Sequence, residues 1–323
     1  MKNTDVLRQG IFLDADSMGS DDLDFSLLNQ QLKRLDLRSL SAADEIKEDL
    51  TAYDVIITNK VKLSRQCLEN NRHIKLICVA ATGTNNIDLQ AAADLGIKTC
   101  NVTGYAAPSV VQHVFSLMLA LQTRLLELTE AVRRGEWSRS QYFSLLDYPV
   151  QELAGKTLGI VGYGDLGQAV SRVAEALGMK VLIAKRNHQD DRTGRVSLKE
   201  MLPVVDVLSL HCPLTTETEN LIDVEEFNLM KSSAIIINTA RGGIINEMAL
   251  LNALQNHQIA AAGIDVLTVE PPPENHPLLG IKSNNLIVTP HVAWASQQSR
   301  QRLLNEIALN IKAFNEGQSR NLI

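Results

Sequence analysis

The sequence contains no apolar stretch that approaches the roughly 20 residues needed to cross a bilayer, and residues 1–5 lack the apolar core of a signal peptide. It also contains no block of lysine and arginine, and its formal net charge at pH 7 is -6. Proteins that bind a nucleic-acid backbone concentrate positive charge on one surface, so nucleic acid is not an expected partner. We therefore expect a cytoplasmic protein whose partner is a small molecule.

Cysteine and histidine are too scattered for a disulfide framework or a metal centre. The four cysteines, Cys67, Cys78, Cys100 and Cys212, form no C-x-x-C pair, and the seven histidines do not cluster at metal-ligand spacing. A chain of 323 residues can bury enough apolar surface to fold without disulfides. We therefore predict reduced thiols and no metal.

Short β-branched segments alternate with longer helical segments along almost the whole chain, which is typical of βαβ units with parallel sheets. The length of 323 residues favours two domains. In the N-terminal part, strands are predicted at 55–58, 76–80 and 98–102, with a helix at 42–50 that has Ser41 as its N-cap. The fold class is α/β.

A second alternating series begins near Thr157. Its six predicted strands, the number expected for a doubly wound dinucleotide domain, are 157–161, 180–184, 205–210, 234–238, 260–265 and 285–288. Helices are predicted at 166–177, 247–256 and 296–315. A further helix at 108–127 is apolar on almost all sides, which predicts burial between domains or subunits.

A glycine-rich turn joins the strand at 157–161 to the helix at 166–177. It reads Gly162-Tyr163-Gly164-Asp165-Leu166-Gly167, a G-x-G-x-x-G pattern. The first glycine permits a tight turn, the second lets the backbone approach a pyrophosphate, and the third lets the helix pack against the strand. Amides at the helix N-terminus then face the phosphates. The pattern alone is weakly specific, but its position between a strand and a helix predicts dinucleotide binding.

The end of the next strand bears on the choice between NAD and NADP. An acidic residue there would hydrogen-bond the ribose 2′-hydroxyl of NAD, but the sequence has Lys185 and Arg186 after Ala184. Two cations suit a 2′-phosphate, because arginine binds phosphate oxygens in bidentate fashion. We therefore hypothesise NAD(P)(H) as the cofactor, with NADP(H) preferred. The alternative is that both are solvated surface charges and that other groups hold the ribose.

Three polar residues follow predicted strands at their C-terminal ends, where open α/β sheets bind ligands: Arg241, Glu270 and His291. Reduction of a 2-oxo acid needs a cation for the carboxylate, a proton donor for the carbonyl oxygen, and a hydride. Arg241 can bind the carboxylate and polarise the carbonyl. His291 can give or take the proton, and a paired Glu270 would favour its imidazolium form. Taken singly, each could also be a surface, loop or helix-entry residue.

Several motifs, in this order along nearly the whole chain, resemble the D-isomer-specific 2-hydroxyacid dehydrogenase family. Besides the glycine-rich turn they are 80–88 (AATGTNNID), 211–215 (HCPLT), 238–242 (NTARG), 263–266 (GIDV), 270–271 (EP) and 289–291 (TPH). Motifs in a common order are far more specific than any one of them.

The resemblance implies a role for each matching residue. It implies a catalytic triad of Arg241, Glu270 and His291. It implies that the backbone amides of Ala81, Thr82 and Gly83, together with Arg241 and His291, bind the substrate. Around the cofactor, besides the glycine-rich turn, it places His211, Cys212, Pro213, Thr239, Ala240 and Asp265, the last as the contact of the nicotinamide carboxamide.

The resemblance also implies two doubly wound parallel-sheet domains. A flavodoxin-like substrate domain comprises 1–100 and is completed by the C-terminal helix, 294–323, and an inserted Rossmann domain comprises 101–293. Family members are usually homodimers built around the helix matching 108–127. Within the family, 101–109 and 143–147 are most similar to glycerate dehydrogenases, also called hydroxypyruvate reductases, so hydroxypyruvate or glyoxylate is the expected substrate.

Two alternatives stay open. One is an enzyme like D-3-phosphoglycerate dehydrogenase, for which Lys60 offers one cation to a phosphate. The other is a non-catalytic NAD(H)-sensing protein that resembles the C-terminal-binding-protein corepressors, which keep the same fold and triad. The sequence departs from the family pattern at Lys185, and at Gln112-His113, where many members carry an acidic residue.

Overall fold

The computed structural model of this chain describes residues 7–41, 46, 50–187, 189–281 and 283–323. Contacts divide the chain into two compact units. The first comprises the described residues up to Ala106 together with Trp294–Ile323, and the second comprises Ala107–Ala293. This division places 101–106 in the first unit, whereas the sequence-based boundary lies at 100/101.

Strands and helices are numbered along the chain. The strands are β1 Gln9–Phe12, β2 Arg34–Leu37, β3 Val55–Thr58, β4 Leu76–Val79, β5 Lys98–Cys100, β6 Thr157–Val161, β7 Lys180–Ala184, β8 Arg195–Val196, β9 Val207–Leu210, β10 Ile235–Asn238, β11 Ala261–Ile264 and β12 Leu286–Val288. The helices are α1 Ser26–Asn29, α2 Arg65–Asn70, α3 Leu89–Asp94, α4 Ala107–Gln122, α5 Leu125–Arg133, α6 Glu136–Arg139, α7 Asp165–Ala176, α8 Leu198–Met201, α9 Val224–Leu229, α10 Glu247–Gln255 and α11 Gln297–Asn315. None of the described helices is long and apolar enough to span a membrane.

The first unit is built on a five-stranded parallel sheet with the order β2-β1-β3-β4-β5. This is the flavodoxin-like strand order, so the predicted fold of this domain is confirmed. Every residue of β3 and β4 is buried, and both strands are apolar except for Thr58 at the end of β3, as expected for parallel strands covered on both faces.

Two strands of this sheet were not predicted. The edge strand β2 reads RLDL and buries none of its residues fully, so it lacks a continuous apolar segment. The neighbouring β1 begins with Gln9 and Gly10, so only two of its residues form an apolar run; an added Cβ at Gly10 would lie 2.6 Å from Cδ1 of Leu32. The predicted helix at 42–50 lies outside the described residues, apart from Ile46 and Leu50.

The C-terminal helix α11 belongs to the core of the first unit. Its N-cap is Ser296, whose hydroxyl accepts from the amide of Ser299. One face of the helix is buried in the same apolar cluster as Phe12 of β1 and Cys78 of β4, through Leu303, Leu304, Ile307, Ala308 and Ile311. This packing explains why the end of the chain returns to the unit with which the chain begins.

The second unit contains a seven-stranded parallel sheet with the order β12-β11-β10-β9-β6-β7-β8. The portion from β8 to β11 has the Rossmann order 3-2-1-4-5-6, with β12 added at one edge, so the predicted fold is confirmed. All six predicted strands are present. The seventh, β8, has only two residues, which is too short to produce a recognisable pattern.

The predicted helix at 108–127 is wrong at its C-terminal end. Helix α4 ends at Gln122, and α5 begins at Leu125 after Arg124, whose φ of 52° lies in the left-handed region. Neither glycine nor proline marks this break, so the apolar periodicity continues through it in the sequence.

Candidate active site

The glycine-rich turn lies between β6 and α7, as predicted. Gly162 has a φ of 93°, and an added Cβ would lie 2.5 Å from the backbone of His211 and Cys212. At Gly167 an added Cβ would lie 2.2 Å from the carbonyl oxygen of Gly162, whereas Gly164 has open space around it. The first and third glycines are therefore required by the packing of the protein itself. The second leaves a bare backbone surface that a phosphate can approach.

Helix α7 begins directly after this turn. Its N-cap is Gly164, which provides no side-chain hydrogen bond to the first turn. The first amides of a helix need acceptors from outside the helix, and an anion can supply them. The turn and the helix N-terminus thus fit a pyrophosphate together.

Two buried polar atoms at the same C-terminal edge of the sheet lack partners among the described residues. One is Nδ1 of His211, whose Nε2 bonds to Oγ of Ser209 at 2.9 Å, and the other is Oγ1 of Thr239. Buried polar atoms in native proteins are normally hydrogen-bonded, so unpaired ones at a ligand-binding edge suggest that a ligand completes them. His211 and Thr239 follow β9 and β10, where cofactor contacts were predicted.

Burial sets the protonation states of two residues at this edge. It lowers the pKa of His211 to about 4, so the ring is neutral at pH 7. It raises the pKa of the Cys212 thiol to about 11, so this cysteine is not a thiolate nucleophile. The segment 211–213 therefore presents an uncharged surface.

A cationic segment follows β7. Among the described residues, neither the ammonium of Lys185 nor the guanidinium of Arg186 has an ion-pair partner. The nearby carboxylate of Asp190 is buried and already bound by Arg192 at 2.6 Å and by Arg195 at 3.4 Å. It also accepts from the backbone amide of Arg186. Asp190, the one acid of this segment that is buried among the residues the structure describes, is thus occupied by the protein's own donors.

The structure brings Glu270 and His291 together. Nδ1 of His291 lies 2.7 Å from Oε2 of Glu270, and Oε1 of Glu270 accepts from the amide of Leu267 at 2.9 Å. Because a carboxylate only accepts, Nδ1 carries the proton in this bond. Nε2 is then the ring nitrogen that gains or loses a proton. His291 has a φ of 52°, a strained conformation for a residue with a side chain.

Arg241 lies on the loop after β10, and its side chain is exposed. Asn238 shapes this loop, since its amide group donates to the carbonyl of Arg241 and its oxygen accepts from the amide of Ala240. At Gly242 an added Cβ would lie 2.0 Å from the carbonyl carbon and oxygen of Leu267. The loop that carries Arg241 therefore packs, backbone against backbone, on the loop that carries Glu270.

Asp265 has a role that the sequence did not indicate. Its carboxylate accepts from the amides of Val292 and Ala293, both at 2.9 Å, and from Oγ1 of Thr289 at 2.6 Å. Its own carbonyl accepts from the amide of His291 at 2.8 Å. Asp265 thus holds the segment that contains His291. The predicted contact of Asp265 with the nicotinamide carboxamide stays a prediction.

The predicted substrate loop, 81–83, follows β4 in the first unit. The loop is fixed through the hydroxyl of Thr82, which donates to the carbonyl of Val102, and through Asn101, whose side chain donates to the carbonyl of Thr82. No described residue accepts from the amides of Ala81, Thr82 and Gly83. Consecutive unpaired amides in a loop can bind an anion such as a carboxylate.

Comparison with known proteins identifies the second unit. A family model described as the NAD binding domain of D-isomer specific 2-hydroxyacid dehydrogenases matches residues 115–293. A glycerate dehydrogenase from Methylorubrum extorquens is 42% identical over 318 residues, which cover 98% of this chain and 99% of the relative. A hydroxypyruvate reductase from Blautia hydrogenotrophica is 38% identical over 292 residues, or 89% of this chain and 90% of the relative.

Solved structures are similar along almost the whole chain. A D-lactate dehydrogenase from Aquifex aeolicus, complexed with NAD and lactic acid, has a TM-score of 0.78 and 30% identity, with 95% of this chain and 96% of that chain covered. An acyclic imino acid reductase in complex with NADPH and D-Arg has a TM-score of 0.83 and 26% identity, with 98% and 99% covered. Both nicotinamide cofactors thus occur among structures with this fold.

Proposed function

Because the chain belongs to the D-isomer specific 2-hydroxyacid dehydrogenase family, we propose that it interconverts hydroxypyruvate and D-glycerate, with glyoxylate as a second substrate. NADP(H) is its preferred cofactor. The observation that carries the reaction type is the 2.7 Å contact between His291 and Glu270. It gives the imidazole one nitrogen whose proton is fixed and a second nitrogen that can exchange a proton with substrate.

The proton follows the direction of the reaction. In reduction, Nε2 of protonated His291 donates to the substrate carbonyl oxygen as that oxygen gains charge, and in oxidation neutral Nε2 accepts the hydroxyl proton. Glu270 keeps the other nitrogen protonated throughout and stabilises the imidazolium. A bound nicotinamide supplies or takes up the hydride at the substrate carbon.

Two groups bind the substrate carboxylate in this proposal. The backbone amides of 81–83, which have no acceptor among the described residues, donate hydrogen bonds to the carboxylate oxygens. The guanidinium of Arg241 binds the carboxylate and polarises the neighbouring carbonyl, because its rigid fork of donors can reach both oxygens.

The cofactor is held along the C-terminal edge of the Rossmann sheet. The bare backbone at Gly164 and the N-terminus of α7 accommodate the pyrophosphate. Thr239 and His211 supply buried polar atoms that a ligand can pair. The ring of Tyr163 lies beneath the guanidinium of Arg195, 5.8 Å from its centroid, a cation–π contact that fixes the wall of the site next to the cationic segment.

The preference for NADP(H) rests on the charges after β7. Lys185 and Arg186 are available to a 2′-phosphate, while Asp190 is bound by Arg192 and Arg195 and so is not available to accept from a ribose hydroxyl. A hydrogen bond to a charged group contributes roughly 1.5–3 kcal/mol, which corresponds to about 10- to 150-fold in affinity.

Initial rates with hydroxypyruvate test the reaction and the cofactor together. We expect kcat/KM to be higher with NADPH than with NADH, and Arg186→Ala to lose about 10-fold or more with NADPH while its rate with NADH is unchanged. Lys180→Ala is the matched control, because Lys180 is exposed at the opposite end of β7. Equal or better kinetics with NADH would overturn the cofactor preference alone.

The chemistry has its own controls. His291→Ala should lose kcat far more than cofactor affinity, and Glu270→Gln should lower kcat because the fixed pairing is weakened. If neither hydroxypyruvate nor glyoxylate is turned over but D-3-phosphoglycerate is, then D-3-phosphoglycerate is the substrate and the proposed one is wrong. Tight NAD(H) binding without any turnover would support a sensor.

We also propose a cytoplasmic homodimer that forms through α4 and the chain that follows it. The four cysteines are free thiols, as in a reducing compartment. Large apolar side chains are exposed along this part of the chain, at Leu119, Leu125, Leu126, Tyr142, Phe143 and Leu146. An exposed apolar patch of this kind is typical of a protein interface. Light scattering should give a molar mass of twice that of the chain. Leu126→Glu, which places a charge in the proposed interface, should lower the measured mass towards that of one chain.

A further inference from the structure

Helix α4 holds both ends of the segment 289–293, at Thr289 and at Ala293. Oγ of Ser109 donates to the carbonyl of Ala293 at 2.7 Å, and Nε2 of His113 lies 2.9 Å from Oγ1 of Thr289. Ser109 and His113 are four residues apart and therefore lie on the same face of the helix. His291 is at the centre of the held segment, in its left-handed conformation.

Hydrogen-bond chemistry determines the direction of each bond in this cluster. The carboxylate of Asp265 can only accept, so Thr289 uses its single hydroxyl proton on Oδ1 of Asp265, at 2.6 Å. Oγ1 of Thr289 can then only accept from His113, so Nε2 of His113 carries a proton. The same Nε2 lies 3.4 Å from Oδ1 of Asp265. His113 is thus a donor into the cluster whether its ring is neutral or charged.

The carboxylate of Asp265 remains ionised at the centre of the cluster. Burial alone would raise the pKa of Asp265, but bonds from His113 and Thr289 and from the amides of Ala293 and Val292 outweigh it and lower that pKa. An ionised carboxylate is the acceptor that all of these donors require. If one donor is lost, the buried charge is less well compensated and its surroundings rearrange.

We propose that His113 is a positioning residue for the reaction: its Nε2–H, acting through Thr289 and Asp265, holds the backbone of His291 in the conformation that directs the imidazole to Glu270. This proposal rests on the proposed function. His113 touches neither Glu270 nor the imidazole of His291 in the contacts of the described residues, so it acts through the backbone of 289–293.

A left-handed backbone at a residue with a side chain costs on the order of 1–3 kcal/mol and persists only where surrounding contacts enforce it. Here the enforcing contacts are the bond from the amide of His291 to the carbonyl of Asp265 and the anchoring of Thr289 and Ala293 by α4. Without His113, the Thr289 end of the segment is held by one side-chain bond fewer. The imidazole then departs from the geometry that proton transfer requires.

Four variants test this role. His113→Leu removes the donor and His113→Gln restores an N–H at a similar reach, while Thr289→Val removes the relay and Thr289→Ser restores it. Ser116→Ala is the control, because Ser116 is exposed on α4 and bonds only within the helix, to the carbonyl of Gln112. The measurements are kcat, KM for hydroxypyruvate, the solvent deuterium isotope effect and the thermal midpoint.

We expect His113→Leu and Thr289→Val to lower kcat about 10- to 100-fold, as misplacement of a catalytic group by about 1 Å does, with KM for hydroxypyruvate little changed. The solvent isotope effect should rise, because proton transfer becomes the slow step. The Gln and Ser variants should recover most of the lost kcat. The double variant His113→Leu/Thr289→Val should be no slower than the slower single variant, since both remove the same link.

The outcomes separate this inference from the proposed function. Wild-type kcat in both His113→Leu and Thr289→Val, with His291→Ala inactive, overturns the positioning role and leaves the proposed function intact. A fall in kcat that the Gln and Ser variants do not reverse, together with a lower midpoint and an unchanged isotope effect, assigns these residues to folding alone and also overturns it. An inactive wild type, or an active His291→Ala, overturns the proposed function instead.

Discussion

Substitution of Gly242 by alanine should separate the two loops on which catalysis depends. The new Cβ would lie 2.0 Å from the carbonyl carbon and oxygen of Leu267 and 2.4 Å from the amide nitrogen of Thr268. All three are backbone atoms, so no side-chain rotation can relieve the contact. One loop carries Arg241 and the other carries Glu270, so relief must change the distance between these two residues.

The size of the effect follows from the overlap. Ordinary contact for such a Cβ begins at 3.4 Å, so the backbones must separate by about 1.4 Å, the difference between 3.4 and 2.0 Å. A displacement of about 1 Å in a catalytic constellation costs on the order of 100-fold in rate. Overpacking of this kind costs roughly 1–3 kcal/mol of stability, or a fall of roughly 2–12 °C in Tm for a unit of this size.

Steady-state reduction of hydroxypyruvate by Gly242→Ala, with thermal unfolding in parallel, measures both effects. Gly280→Ala is the matched control, because it makes the same substitution in the same unit at a position where no atom of the described residues lies within 4 Å of the new Cβ. Gly280→Ala should keep the wild-type rate. If Gly242→Ala retains kcat/KM within about threefold of wild type, the two loops do not depend on this contact and the reasoning is refuted.

Three further predictions follow from single contacts. The folded-state pKa of His211, about 4, lies below the unfolded value of 6.5, so the stability that the neutral ring contributes is complete above pH 6.5 and is lost as the pH falls through about 4. The loss in the free energy of unfolding is on the order of 3 kcal/mol. Urea unfolding of His211→Asn should therefore show a flatter pH dependence than the wild type between these pH values. Gly167→Ala puts a Cβ 2.2 Å from the carbonyl oxygen of Gly162 and should weaken NADPH binding, measured by fluorescence titration, by about 10-fold or more. An unchanged affinity would show that the turn tolerates a shift of α7. Arg241→Ala should raise KM for hydroxypyruvate and lower kcat, because the carboxylate loses its bidentate partner, whereas an unaltered KM would mean that another group holds the carboxylate.

Local patterns were sufficient to predict most of the Rossmann unit. Its central strands β6, β9 and β10 are mainly apolar because they are buried on both faces of the sheet, and the G-x-G-x-x-G pattern marks the turn from β6 to α7. The apolar pattern did not predict a strand where the strand is short or half-exposed, as in β2 and β8. The pattern also did not predict the break near Arg124, where the chain leaves α4 through a left-handed conformation and no glycine or proline stands.

Motif and position alone identified the residue types that stand at the ends of the strands, namely Arg241, Glu270 and His291. It could also suggest that Glu270 pairs with His291. Their distance of 2.7 Å, and the fixing of Glu270 by the amide of Leu267, depend on how two loops meet. The periodicity of the sequence does not predict such contacts between distant segments.

Only the tertiary structure revealed the group that holds His291 in place. His113 and Thr289 are 176 positions apart, and Asp265 joins them through a carboxylate that is buried in the folded chain. In the sequence, His113 was merely a departure from a family pattern within an apolar helix. The physical reason is that local propensity and periodicity specify elements, whereas the donors and acceptors around a buried charge are paired only when separate elements pack together.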